Sequence, residues 1–102
     1  MTRTEHLLIC LAEECNEVAQ RVNKALRFGL TDIQEGQELT NRQRIRLEVN
    51  DLLGVLDMLI GEGILHGPNV VALDECDGIA LMRKQEKVTR YLAYAKKHGA
   101  LE

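Results

Sequence analysis

Tryptophan is missing from this chain, and aromatic residues of every kind make up only 3% of it. A core without large rings must be assembled from Leu, Val, Ile and Ala, a mixture that suits helices. Proline is nearly missing too: Pro68 stands alone, so long stretches are free of the strongest helix breaker. The three cysteines, Cys10, Cys15 and Cys76, show no Cys-x-x-Cys spacing. With their odd number, that predicts buried free thiols in a reducing cytosol. None of the histidines, His6, His66 and His98, has a Glu three residues before it, so the Glu-x-x-His steps of a ferritin-like di-iron bundle do not occur. Cationic excess is lacking as well. A net charge of −3 argues against a general nucleic-acid binder.

Long apolar runs are also wanting. Leu7 to Ala12 runs straight into Glu13 and Glu14, which is not the pattern of a signal peptide. Leu52 to Leu65 is interrupted by Asp57 and by Gly61-Glu62-Gly63, so it does not read as a membrane span. The expectation is a cytoplasmic protein with no membrane partner. At 102 residues the chain has room for a single domain over residues 1–102 with one modest core.

What is present is helical periodicity. Leu7, Leu8, Leu11, Cys15, Val18, Ala19, Val22, Ala25 and Leu26 recur at threes and fours, predicting a helix from about Thr4 to Phe28 that stops at Gly29. Leu30 to Leu39 is polar and reads as a loop. Thr40-Asn41-Arg42-Gln43 has the form of a capping box and opens a second helix. That helix is apolar on nearly all sides beyond Asp51, so it calls for cover from several directions and hence for a homo-oligomer. Gly61, Gly63, Gly67 and Pro68 mark a loop or broken helix end, and Val70 to Leu73 is too short to classify. Asp74 or Asp77 can cap a third helix from about Gly78 to His98, ended by Gly99. The fold class is therefore all-α, an antiparallel bundle of about three main helices completed by oligomerisation.

Two acidic steps stand out within this pattern: Glu14-Cys15-Asn16-Glu17 and Glu48-Val49-Asn50-Asp51. Residues three apart share a helix face, so each step aims two carboxylates at one point. Both lie in apolar surroundings, on the two helices that must pack together. Four converging carboxylates without His or Cys suit a hard divalent ion, Mg2+ or Mn2+, rather than Zn2+. Mg2+ in turn favours phosphate oxygens, which directs attention to nearby cations: Arg21, Lys24 and Arg27 on the first helix, and Lys84, Lys87 and Arg90 on the third. Asp57 and Glu62 fall off the acidic face and read as surface or interface groups. Stacking groups for a base are limited to Phe28, Tyr91 and Tyr94.

Glu13-Glu14-Cys15-Asn16-Glu17, Lys24-Ala25-Leu26-Arg27-Phe28-Gly29 and Glu48-Val49-Asn50-Asp51-Leu52-Leu53 together resemble the MazG-like nucleoside triphosphate pyrophosphohydrolases, in particular their short phage-encoded forms. The resemblance covers about residues 5 to 60, and the third helix only in its basic character. It implies an all-α enzyme in which Glu14, Glu17, Glu48 and Asp51 coordinate Mg2+. An NTP or dNTP would be hydrolysed between its α and β phosphates, with Glu17 as the expected proton acceptor. Lys24, Arg27, Lys84, Lys87 and Arg90 are the expected phosphate ligands, in a homodimer or homotetramer. Two departures bear on substrate choice: the long interval between Glu17 and Glu48, and Asn50, where many relatives carry a small residue. The rival readings are a phosphoribosyl-ATP pyrophosphohydrolase and a helical oligomerisation or regulatory module without activity.

Overall fold

The computed structural model describes residues 1–66 and 78–102. The described residues form three helices and no strand: α1 (Arg3–Phe28), α2 (Asn41–Gly61) and α3 (Gly78–Lys97). None of these helices is long and apolar enough to cross a membrane. The chain divides into two compact units, Met1–Leu65 and His66–Glu102. The features expected at Gly67, Pro68, Val70 to Leu73, Asp74, Cys76 and Asp77 lie outside the described residues.

Both helices of the first unit begin with reciprocal capping boxes. Thr40 Oγ1 accepts from the Gln43 amide at 3.2 Å, and the Gln43 side chain accepts from the Thr40 amide at 2.9 Å. The start of α1 is set the same way by Thr2 and Glu5, whose two bonds measure 3.1 and 2.8 Å. This second box places the helix start slightly earlier than apolar periodicity alone indicates, because the cap precedes the first apolar residue. At the other end of α1, Gly29 stops the helix as expected, its amide reaching back to Ala25.

The second and third helices close alike. The Gly63 amide donates to the Ile60 carbonyl and the Ile64 amide to Leu59; Gly99 and Ala100 repeat the pattern onto Lys96 and Ala95. These are Schellman closures, which need a residue with positive φ, and Gly63 (φ 74°) and Gly99 (φ 78°) supply it.

The helices α1 and α2 pack against each other. Leu7 and Ala25 of α1 and Leu59 and Asn41 of α2 are buried, Leu59 completely. Asn41 is the unexpected member. Its Nδ2 donates to the Gly29 carbonyl at 2.9 Å, while its own amide and that of Arg42 bond to Asp32 and Leu30. A buried amide side chain is tolerable only with such partners. The loop from Leu30 to Leu39 is thereby hung from the start of α2, with a single bridge between Ile33 and Thr40. At the opposite end, Arg3 clasps Glu62 through two bonds of 2.9 and 3.1 Å on the surface.

One neighbouring helix covers only one face, and the rest of the apolar pattern stays open. Leu8, Ile9, Val22 and Leu26 of α1 are exposed, Leu26 by 80%, as are Leu47 and Met58 of α2. The cysteines correct an expectation of burial: Cys15 is exposed and Cys10 is half-buried. In the second unit α3 has no buried residue, and its Tyr91 and Tyr94 are both exposed.

Candidate metal centre

The first helix carries Glu14 and Glu17 one turn apart, and the second brings Glu48 opposite them. One carboxylate oxygen from each of Glu14, Glu17 and Glu48 lies within 4.8 Å of the others. Glu14 and Glu48 are half-buried and Glu17 is exposed. Asp51, exposed and one turn along from Glu48, is not part of this close trio, but its charge still acts on Glu48.

The Glu48 carboxyl is held above the usual carboxylate range. Burial contributes most, followed by its hydrogen bond to the Glu17 carboxyl and by the charges of Glu17 and Asp51. Two carboxyls can share a hydrogen bond only when one keeps a proton, which is why crowding favours the neutral form. Arg21 opposes the shift. Its Nε lies 3.8 Å from Glu48 Oε1, with the two side chains only 18% and 20% exposed. At that distance the pair is an ion contact, longer than a hydrogen bond.

Two buried polar atoms of this cluster, Glu14 Oε2 and Arg21 Nη1, have no hydrogen-bond partner among the described residues. Leaving them so costs free energy that a ligand would recover. The oxygen donors suit a hard ion. Ligands facing each other across Mg2+ stand about 4.2 Å apart, twice the usual Mg–O length, comparable with the spread of this trio. Three acidic residues alone are a common surface feature. The orphaned atoms and the upward push on Glu48 distinguish this group.

The expected cations fall in different places. Arg21 touches the cluster; it is four residues after Glu17 and so on the same side of α1, a spacing that singled it out less clearly than it deserved. Lys24 is half-buried one turn farther on. Arg27 is exposed, its guanidinium carbon 4.9 Å from the centre of the Phe28 ring. Lys84, Lys87 and Arg90 are exposed on α3 in the second unit, where Lys87 lies 5.9 Å from the Tyr91 ring centre. All three histidines are exposed, and His98 packs on Tyr94 with ring centres 4.1 Å apart. The chain matches no family model, no curated protein and no solved structure.

Proposed function

We propose that the protein is a Mg2+-dependent nucleotide pyrophosphohydrolase of the MazG-like type, hydrolysing an NTP or dNTP between the α and β phosphates. The observation that carries this reading is the convergence of Glu14, Glu17 and Glu48 from two helices, with oxygens within 4.8 Å. Glu14, Glu17 and Glu48 would hold the ion, with Asp51 as the fourth carboxylate. When bound, the ion polarises the phosphoryl group and lowers the pKa of water.

The chain's own residues supply the rest. Glu17, the exposed member of the trio, accepts a proton from the attacking water. The water oxygen bonds to phosphorus as the bridging P–O bond breaks, and a nucleoside monophosphate and pyrophosphate leave. Arg21 and Lys24, on the same side of α1 as Glu17, neutralise phosphate oxygens as charge shifts onto the leaving group.

The same reading makes the protein a homodimer or homotetramer built on an antiparallel α1–α2 pair. Support for the pair comes from its two ends: Arg3 with Glu62 at one, Gly29 with Asn41 at the other. Support for oligomerisation comes from exposed Leu8, Ile9, Val22, Leu26, Leu47 and Met58, since apolar surface of that extent on one chain calls for cover.

The test is pyrophosphate release from a panel of NTPs and dNTPs with Mg2+, with Mn2+ or with EDTA, alongside light scattering for mass. Release with metal and none with EDTA is expected. A pure, folded oligomer that releases no pyrophosphate from any NTP or dNTP would overturn this reading and leave the phosphoribosyl-ATP pyrophosphohydrolase and the oligomerisation module.

A further inference from the structure

We infer that α1 pairs antiparallel with α1 of a second copy of this chain; this rests on the oligomer reading above and deepens it. Leu8, Ala12, Cys15, Ala19, Val22 and Leu26 follow one another at alternating steps of four and three residues. At about 100° per residue the six fall within an arc of about 80°. That is the a/d seam of a coiled coil, sustained over most of the helix. All six residues are exposed. Leu7 and Ala25, the buried residues of the same helix, lie about 100° around it from the middle of this stripe.

Charge decides what fits the stripe. The first thirteen residues of α1 carry Arg3 against Glu5, Glu13 and Glu14. The last thirteen carry Arg21, Lys24 and Arg27 against Glu17. A parallel pair would set acidic half on acidic half and basic on basic. An antiparallel pair sets each half on its opposite and also opposes the two helix dipoles. The complement of this helix is its own copy, reversed.

The same six residues fix the register. A two-fold axis level with Glu17 puts Leu8 opposite Leu26, Ala12 opposite Val22 and Cys15 opposite Ala19, each pair occurring twice. No other antiparallel register matches all six. Glu17 is nine residues from either leucine, which is two and a half turns. The seam therefore runs on the opposite side of α1 from Glu17 and leaves the carboxylate trio open.

Ala19→Glu keeps a good helix former at an exposed position, yet puts two charges into the middle of the seam. Light scattering should give wild type as a multiple of two chains and the variant at half that mass. Self-association should weaken by at least about 100-fold, with helical content by circular dichroism unchanged. Orientation is read by cross-linking with oxidised glutathione in a Cys10→Ser, Cys76→Ser background. Cys15 alone should give little covalent dimer. Its two copies are offset by four residues, about 6 Å along the axis, which with the gap between helices exceeds the roughly 7 Å that a disulfide spans between Cα atoms. Adding Ala19→Cys sets a thiol level with Cys15 of the partner subunit and should give covalent dimer in high yield.

Undiminished mass for Ala19→Glu, ready cross-linking through Cys15 alone, or none after Ala19→Cys overturns the antiparallel seam while the oligomer reading stands. Should Ala19→Glu lose helix, the cross-link decides by itself. A wild-type protein that stays a single chain at every concentration removes the oligomer reading and the seam together. In each case the hydrolase reading stands or falls separately, on pyrophosphate release.

Discussion

The α1–α2 interface holds two polar groups that obey opposite rules. Around Asn41, at the loop end, the buried side chain donates to the Gly29 carbonyl, the Asn41 and Arg42 amides reach loop carbonyls, and the capping box satisfies the helix start beside it. Around Glu48, midway along, three carboxylates crowd one guanidinium, and Glu14 Oε2 and Arg21 Nη1 are left without partners. The first group costs little to bury because none of its buried polar atoms lacks a partner. The second is costly to keep, and a site that is poorly solved as structure is the place where a ligand has most to contribute.

The contrast is broken most forcefully by removing one charge at the middle. Glu48→Gln keeps shape and takes away a ligand oxygen's charge; turnover of any active nucleotide should fall by at least about 100-fold, the usual scale for losing a principal electrostatic group. Retention of wild-type kcat would take Glu48 out of the metal set. At the loop end the damage should appear in stability instead. Asn41→Ala removes the 2.9 Å bond to the Gly29 carbonyl, which keeps only the longer one from the Asp32 amide, and should cost about 0.5–1.5 kcal/mol, measured as a lower urea midpoint with an unchanged slope. Thr40→Ala, which removes the cap but no buried partner, should cost about 1 kcal/mol on the same assay. A neutral result for both would mean that the loop is not anchored where the bonds suggest.

The smallest effect has the opposite sign. Because the native Glu48 carboxyl is held above its ordinary value near 4.5, the folded chain binds the extra proton in the interval between the two values. Stability due to this group therefore falls as pH rises through that interval, and the penalty is fully present above it. Glu48→Gln should accordingly be slightly more stable than wild type at pH 7.5, with the gain vanishing near pH 4. Unfolding curves at the two pH values settle it; a less stable variant at pH 7.5 would show that the Arg21 contact outweighs the crowding.

Much of this molecule is written in local signals. Apolar spacing, Thr40 with Gln43, and the glycines at 29 and 99 mark helix limits because each depends on neighbours within one turn. The carboxylate steps were legible for the same reason, since three-residue spacing fixes a shared face. What spacing cannot supply is the partner across the gap. Nothing local separates Arg21 from Lys24 and Arg27 as the cation beside Glu48, because that depends on where α2 lies. Nor does a polar residue at the first helical position announce burial, as Asn41 shows. Cys15 and Leu26 fit an apolar stripe in sequence, yet a single packed partner is too narrow to cover it.

The anchoring of Asn41 to Gly29 has one more consequence, which concerns angle rather than energy. A helix pinned at its first residue has its rotation set for its whole length. Each residue turns the chain by about 100°, so a one-residue insertion between Asn41 and Glu48 would leave α2 just as helical while swinging its carboxylate away from Glu14 and Glu17. An insertion in the loop before Thr40 would leave that phase untouched. The hinge between loop and helix thus works as a clocking pin, and the long segment ahead of it is free to vary in length without disturbing the direction in which Glu48 points.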